Sequence, residues 1–274
     1  MYHPHFIEYL RLLKNKGVRV KLLTNLTLLN DEVINILKTG LFSTVQTSLF
    51  SLDDKVHDSV TQVPGSWKKT MANIELLRKN NIVVDIASQC FSETIDGEKD
   101  LMLWCKANGY NFTLDWDIVG KTNGETDNLI HREKDLSKYK GLFSAKADCD
   151  PSFCKTLYKG CYPDYNVCTI GKNALAITCN GDVLPCVGFY SERLGNVNDS
   201  SIKDIWNNSE ELNRLRNIKL KEFPKCVHCP DKEYCSVCMQ ANVSSTGDVF
   251  NPDPNKCRIT ALLKDFALDL KSME

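Results

Sequence analysis

The chain has 274 residues, of which 42% are hydrophobic and 25% charged, with 34 basic against 35 acidic side chains. This composition is typical of a folded globular protein and excludes disordered and collagen-like chains. A formal net charge of -1 gives no basic face for nucleic acid or an anionic membrane, and no apolar run reaches the roughly 18 residues of a membrane helix. We therefore expect that the protein has no nucleic-acid partner and no association with a membrane.

The cysteines divide the chain into two halves. The opening sequence MYHPHF shows no secretory signal, so the expected compartment is the reducing cytoplasm. Of the 13 cysteines, two precede residue 149 and eleven lie between Cys149 and Cys257. At this length two domains are expected. We predict a first domain over residues 1–118, a connector over 119–160 and a cysteine-rich domain over 161–274.

The first half alternates helical and strand patterns. Apolar stripes and capping residues predict four helices, and β-branched runs predict four short strands between them. In chain order these are helix His5–Lys16, strand Val18–Leu23, helix Asn30 to about Gly40, strand Ser43–Leu49, helix Ser66–Leu77, strand Ile82–Ala87, helix Leu101–Asn108 and strand Tyr110–Leu114. Strands joined by single right-handed helical crossovers are parallel, so the predicted class is α/β.

Polar residues follow two of these strands. In parallel sheets and barrels, ligands bind beyond the carboxyl ends of the strands, which places Asn25 and Ser48 at the expected active-site edge. Both residue types also favour turns, so a purely turn-forming role remains an alternative.

Four further residues have simple interpretations. Cys90 and Cys105 are isolated in the cysteine-poor half and are predicted to be small buried hydrophobic residues. His57 and Asp58 are adjacent and are interpreted as a surface pair.

The second half starts with a polar stretch and continues with a hairpin. Residues 119–159 predict a connector with one short helix. Residues 174–184 predict a hairpin whose Asn180-Gly181 turn supplies positive backbone angles and brings Cys168 and Cys186 toward one metal site. Two helices follow, around Ile202–Trp206 and from Ser209 through Leu215.

Cysteine spacing is the main chemical signal. Cys168 and Cys186 frame the pattern C-x12-G-x4-C, and a C-x2-C-x5-C-x2-C run follows from Cys226 to Cys238, with Cys161 and Cys257 outside both. Disulfides are disfavoured in a reducing compartment. Zinc suits paired cysteines, but the five-residue gap is short against the roughly 15–20 residues of zinc ribbons. Closely spaced cysteines with a remote one favour iron-sulfur clusters, with zinc as the alternative.

This run of cysteines resembles the SPASM domain of radical SAM (S-adenosylmethionine) peptide and protein maturases. The resemblance implies two auxiliary [4Fe-4S] clusters with four cysteines each. The first would be bound by Cys161, Cys168, Cys186 and Cys238, and the second by Cys226, Cys229, Cys235 and Cys257. The central motif departs from the family in having two residues, Ser236 and Val237, where three are usual. The other cysteines are Cys149, Cys154 and Cys179, of which Cys154 is an alternative to Cys161.

The first half resembles the radical SAM (β/α)6 partial barrel. Thr24-Asn25 is similar to the segment that lines the SAM site, and the stretch from Ser48 to Ser51 is similar to the fourth-strand region. The resemblance therefore implies that Asn25 and Ser48 bind SAM. Val187 stands where sulfatase maturases have a catalytic aspartate, which argues against sulfatase maturation.

One family motif is missing. Radical SAM enzymes bind their SAM-cleaving cluster through C-x3-C-x2-C, and no such triplet occurs in these 274 residues. The expectation is an incomplete barrel, truncated at its N-terminus, with SAM and a third [4Fe-4S] cluster only in an intact full-length form. The resemblance also implies a peptide or protein substrate and a reductant such as flavodoxin or ferredoxin. Two hypotheses stay open: part of a maturase, or a non-catalytic relative that transfers electrons or binds a peptide.

Overall fold

The computed structural model describes residues 3–40, 42–121 and 124–272 and divides into two units. Residues 1, 2, 41, 122, 123, 273 and 274, which the predicted domain ranges include, lie outside the described residues. The first unit extends to Trp116 and includes Ser144–Cys149, and the second contains Asp117–Phe143 and the chain from Asp150 onward. The stretch predicted as a connector thus contributes residues to both units.

Helices and strands alternate through the first unit. In chain order they are α1 Phe6–Asn15, β1 Val20–Leu23, α2 Asp31–Leu37, β2 Phe42–Ser48, α3 Asp54–Thr61, α4 Ser66–Lys79, β3 Val84–Gln89, α5 Ile95–Ala107 and β4 Asn111–Asp115. The four strands form one parallel sheet in the order β1-β2-β3-β4. The predicted α/β class and its four helix–strand units are confirmed.

The core of this unit lies between the sheet and its helices. Val45 of β2 and Ile86 of β3 are completely buried, and Ile74 and Leu77 of α4 pack against them in the same cluster. Apolar residues three positions apart lie on one helical face, so α4 presents a continuous stripe to the sheet. Cys90 and Cys105 are also fully buried, as predicted.

The sequence patterns missed helix α3, and the surface interpretation was wrong for His57, whereas Asp58 is half-buried. His57 is only 2% exposed, and its Nδ1 accepts the Phe50 N–H at 3.2 Å. The Asp58 carboxylate accepts the Trp67 N–H at 2.9 Å, which satisfies a free amide at the start of α4. That hydrogen bond is the main cause that lowers the pKa of Asp58. Ser66 is the first residue of α4, and Gly65 precedes it as the cap.

The second unit is built from helices and one small sheet. In chain order its helices and strands are α6 Ser137–Cys149, whose last turns belong to the first unit, α7 Ser152–Leu157, β5 Ala176–Ile177, β6 Asp182–Leu184, β7 Gly195–Asn196, α8 Ile202–Asn208, α9 Glu210–Asn217, α10 Pro224–Val227, α11 Met239–Thr246 and α12 Pro254–Ser272. Strands β5, β6 and β7 pair antiparallel. The predicted helices at 202–206 and 209–215 are confirmed as α8 and α9.

The sequence analysis predicted one short helix in the connector, and the structure has two α-helices there. Helices α6 and α7 both lie there, each with an aspartate side chain at its start. Asp135 accepts the Ser137 N–H at 3.0 Å, and Asp150 accepts the Ser152 N–H at 3.1 Å. Side-chain acceptors at these positions satisfy amides that have no partner inside the helix.

The predicted hairpin is present. Gly181 has φ +84°, and the Thr178 N–H donates to the Asp182 carbonyl at 2.9 Å. A Cβ at position 181 would lie 2.9 Å from Asn196 Oδ1, so the turn requires glycine for both conformation and space. No helix in the described ranges is long and apolar enough to cross a membrane.

Candidate metal centre

Six cysteines line one cavity of about 90 Å³ in the second unit. They come from the loop after α7, from α10 and the loop that follows it, and from the starts of α11 and α12. The six are Cys161, Cys226, Cys229, Cys235, Cys238 and Cys257. The cavity therefore collects cysteines that are up to 96 positions apart in the sequence, from Cys161 to Cys257.

A series of tight turns follows α10 and carries the central motif around the cavity. The Cys229 N–H donates to the Cys226 carbonyl at 3.1 Å, and the Cys235 N–H donates to the Lys232 carbonyl at 3.1 Å. Local turns of this kind keep closely spaced cysteines on one side of the chain. The short spacing between the cysteines of the motif thus corresponds to turns that are closed by backbone hydrogen bonds.

Cys161 reaches the same place from far upstream. Its thiol lies 3.9 Å from the Cys235 carbonyl oxygen, and the neighbouring Lys159 N–H donates to the Glu233 carbonyl. The alternative residue, Cys154, lies in α7 and is not among the described residues that line the cavity. This placement favours Cys161 over Cys154 as a ligand.

The two ligand sets implied by the family resemblance are placed differently. All four cysteines of the second set, Cys226, Cys229, Cys235 and Cys257, line the cavity. In the first set, Cys161 and Cys238 line it, whereas Cys168 and Cys186 pack against the apolar cluster that contains Cys226 and Phe223. The structure thus brings six of the eight predicted ligands to one cavity and places the other two against the adjoining core.

Burial raises the pKa of several thiols in the cavity wall, which favours their protonated form in the absence of a metal. Burial raises the pKa of Cys226 to about 12, and the nearby Cys235, Cys257 and Cys229 add to the effect. Burial likewise raises the pKa of Cys235 to about 11. Thiolates packed together repel one another, so an added positive centre is needed to ionise them, and its binding releases protons.

Hydrogen-bond donors point at several of the sulfur atoms. The Asp231 N–H donates to Cys229 Sγ at 3.4 Å, and the Thr260 hydroxyl donates to Cys235 Sγ at 3.7 Å. Burial raises the pKa of Cys238, and the backbone N–H groups of Ala241 and Gln240, at the start of α11, oppose this rise. Such donors stabilise sulfur ligands and tune a bound cluster.

A buried cation lies beside the same sulfurs. Lys256 is paired with Asp117, and the lysine side chain is 14% exposed. Burial would lower the pKa of Lys256, but Asp117, Cys238 and Cys235 together raise it. A positive charge here offsets the negative charge that several thiolates would carry. Sequence reasoning missed this pair, because its members are 139 positions apart.

The donor set fits an iron-sulfur cluster. A zinc ion draws its sulfur ligands to about 2.3 Å from one centre, whereas a [4Fe-4S] cluster takes one thiolate on each of four irons. The cavity, its thiols and their N–H donors match the needs of cluster ligands.

The two predicted SAM contacts lie at the carboxyl edge of the parallel sheet. Asn25 follows β1, Ser48 ends β2, and both residues are exposed. Asn25 Oδ1 accepts the Thr27 N–H at 3.2 Å and the Thr27 hydroxyl at 2.9 Å, so Asn25 also forms a turn. The turn-forming role is therefore real, and SAM binding by these residues remains a prediction.

Family comparisons agree with this arrangement. Residues 1–100 match the radical SAM superfamily, and residues 168–230 match SPASM, an iron-sulfur cluster-binding domain. The chain contains a radical SAM domain and a SPASM domain. The matched SPASM region contains the hairpin and the first half of the C-x2-C-x5-C-x2-C motif.

Two relatives extend the similarity to most of the chain. The AdoMet-dependent heme synthase of Methanosarcina barkeri is 26% identical over 92% of this chain and 78% of its own length. The subtilosin biosynthesis protein AlbA of Bacillus subtilis is 28% identical over 89% of this chain and 55% of its own length. The radical SAM/SPASM chain thus spans little more than half of AlbA.

Solved structures of similar fold include two that contain SAM. Streptococcus suis SuiB bound to SAM aligns with a TM-score of 0.63 at 17% identity, covering 92% of this chain and 63% of SuiB. The structure of anSMEcpe with bound AdoMet aligns with a TM-score of 0.70 at 18% identity, covering 97% of this chain and 78% of that protein. At such identities the likeness shows a shared fold, as the resemblance implied.

Proposed function

We propose that this radical SAM/SPASM chain is part of a maturase that modifies a peptide or protein by radical chemistry. The chain would form a partial radical SAM barrel and the auxiliary-cluster domain of that maturase. The observation that carries the proposal is the convergence of six cysteines on one cavity in a unit that matches an iron-sulfur domain. The proposed ligands are Cys161, Cys168, Cys186 and Cys238 for a first [4Fe-4S] cluster, and Cys226, Cys229, Cys235 and Cys257 for a second.

The residues around the cavity would hold and tune these clusters. The thiolates bind iron, the Asp231 N–H and the Thr260 hydroxyl donate to two of the sulfurs, and Lys256 offsets negative charge. When bound, auxiliary clusters supply one-electron transfer or a binding point for the substrate. A flavodoxin or ferredoxin is the proposed electron donor, and the cytoplasm is the proposed compartment.

A peptide is the favoured substrate because several similar proteins act with one. AlbA is named for its part in subtilosin biosynthesis, and SuiB has a structure with its precursor peptide SuiA. The anSMEcpe fold is also known with a bound peptide. These likenesses support a peptide partner for this chain.

Heme synthesis is the second candidate. It is favoured by the heme synthase of Methanosarcina barkeri, which this chain matches over 78% of its length. Titration with hemin, followed through its visible absorption, tests this candidate. Saturation at one hemin per chain is the result expected of heme synthesis and not of peptide modification.

SAM cleavage needs cysteines that these 274 residues do not contain. None of the 13 cysteines forms C-x3-C-x2-C, so SAM and a third [4Fe-4S] cluster belong to a form that carries this motif. We expect no 5′-deoxyadenosine above background when the reconstituted 274-residue chain is incubated anaerobically with SAM and dithionite. The measurement is chromatography with mass detection, and a radical SAM enzyme with an intact motif is the positive control. Turnover by the 274-residue chain would refute the expectation.

A further inference from the structure

Lys256 brings a largely buried positive charge into the wall of the six-cysteine cavity. It lies in the first turn of α12, directly before Cys257, and its side chain is 14% exposed. Its ammonium is paired with the half-buried carboxylate of Asp117, which is not among the described residues of the wall. Both residues belong to the second unit. The pair therefore turns its positive end toward the cavity, where solvent and salt screen it only weakly.

This cation lies beside sulfurs of both proposed ligand sets. Cys238 belongs to the first set and Cys235 to the second, and both line the cavity together with Lys256. Burial would lower the pKa of Lys256, but Asp117, Cys238 and Cys235 raise it, so the ammonium stays charged. At Cys238 the two partners act in opposition: burial raises the pKa of this thiol, Lys256 opposes the rise and Asp117 adds to it.

A second buried pair turns the opposite charge toward the cavity. Asp253 lines the wall, and its carboxylate accepts two N–H groups of Arg132, at 2.7 and 3.1 Å. The sulfur that it affects is Cys257, whose pKa is raised by burial, by Cys229 and by Asp253, while Lys256 opposes the rise. The two pairs thus face different parts of the cavity wall, and Lys256 is the one that faces Cys235 and Cys238.

Fixed charge beside a cluster changes how readily the cluster accepts an electron. Reduction of a [4Fe-4S] cluster adds one negative charge and requires no proton, so net charge nearby is one of the factors that set its potential. A cation stabilises the reduced form and an anion destabilises it, and both effects grow where water is excluded. The sign of the effect is therefore the sign of the charge.

We propose that Lys256 and Asp117 set the reduction potentials of the auxiliary clusters as two opposed charges. Lys256 makes both clusters easier to reduce, and Asp117 makes the first cluster harder to reduce. Neither residue is a cluster ligand, and each acts through its charge alone. The inference rests on the proposed function, since it assigns these two residues a role toward the clusters that this function proposes.

A redox titration with dithionite, followed by electron paramagnetic resonance, measures the potentials of the reconstituted 274-residue chain. Dithionite supplies the one electron that each cluster takes up, and a Cys229→Ala variant, which lacks a ligand of the second cluster, identifies the signal of the first. Lys256→Met is expected to make reduction of both clusters about tenfold less favourable, a shift of about 59 mV toward negative potential. Asp117→Asn is expected to shift the first cluster by a similar amount toward positive potential.

Opposite shifts separate charge from packing, because loss of packing does not change direction with the sign of the removed charge. Lys256→Arg keeps the charge and should retain both wild-type potentials. Lys221→Met is the matched control: Lys221 pairs with Asp164 at 2.7 Å, its side chain is 58% exposed, and it is not a described residue of the wall. This variant should shift neither potential, because solvent screens its charge.

A double variant keeps the test decisive if an unpaired charge prevents either single variant from folding. Lys256→Met combined with Asp117→Asn removes both charges, and the second cluster should then have a more negative potential than in wild type, while the first changes less. Iron and sulfide analysis of every variant confirms that its clusters are present.

Three results would overturn the inference. They are unchanged potentials in Lys256→Met, shifts of Lys256→Met and Asp117→Asn in the same direction, and a second-cluster potential that the double variant leaves unchanged. A wild-type chain that binds zinc and no iron would instead overturn the proposed function, so the two failures are distinguishable.

Discussion

The Cys229→Ala variant is expected to lose about half of the iron of the wild-type chain and to unfold at a lower temperature. Cys229 lines the cavity with Cys226, Cys235 and Cys257, and its thiol receives the Asp231 N–H at 3.4 Å. With one of four ligands removed, the second cluster is lost while the first remains. Because metal binding energy is also folding energy, the second unit loses stability with the cluster.

Cys179→Ala is the matched control for this variant. Cys179 is exposed in the turn of the hairpin and is not a described residue of the cavity wall. Its removal should leave iron content and unfolding temperature unchanged. Iron and sulfide analysis of both variants after anaerobic reconstitution provides the measurement. Wild-type iron content in Cys229→Ala would contradict the ligand assignment.

Glu98→Gln is expected to make the chain more stable at alkaline pH. Glu98 in α5 is completely buried, Ser88 Oγ donates to its Oε1 at 2.6 Å, and its Oε2 has no partner among the described residues. Burial raises the pKa of Glu98 from 4.5 to about 7, although hydrogen bonds from Ser88 and Thr94 oppose the shift. The folded state therefore keeps a proton that the unfolded state releases near pH 4.5.

The direction of the pH effect follows from that difference. Between pH 4.5 and about 7 the folded chain binds more protons than the unfolded chain, so the free energy of unfolding falls as pH rises. The expected loss is about 3 kcal/mol for this shift. Below this range both states are protonated, and above it both are ionised. The difference between wild type and Glu98→Gln should therefore grow across the range.

Urea unfolding at about pH 5 and about pH 8, followed by tryptophan fluorescence, measures this change. Asp100→Asn, at an exposed position on the same helix, is the control. It should change the urea midpoint by the same amount at both pH values. If Glu98→Gln changed the midpoint by the same amount at both pH values, Glu98 would not be the titrating group.

Local patterns were sufficient for most of the first unit. Helix α2 begins where Asn30 accepts the Val33 N–H at 2.9 Å, and Gly17 and Gly109 follow their helices with φ of +66° and +71°. Caps and left-handed stops act within a few residues, so the sequence displays them directly. The parallel order of strands β1 to β4 then follows from the alternation of elements.

Features that depend on distant partners could not be predicted in this way. Helix α3 has few apolar residues, yet His57 in it is buried and accepts the Phe50 N–H. Glu98 lies among charged residues that look like an exposed first turn, and only the fold places Ser88 beside it. In each case a tertiary contact outweighs the local pattern.

The metal centre likewise contains features that local sequence patterns predict and features that they do not. Spacing identifies the motif from Cys226 to Cys238, because local turns determine its geometry. Cys161 and Cys257 were assigned through the family resemblance, and the structure places both at the cavity. The pairing of Lys256 with Asp117 has no sequence signal, since each residue taken alone is an ordinary charged side chain.

Metal content tests the central claim most directly. Iron and acid-labile sulfide are measured on the anaerobically purified and reconstituted 274-residue chain, together with a visible spectrum. Two auxiliary [4Fe-4S] clusters predict about eight irons and about eight sulfides per chain, with broad absorption at about 400 nm. A colourless protein that carries zinc would contradict the assignment, because zinc with its filled d shell absorbs no visible light.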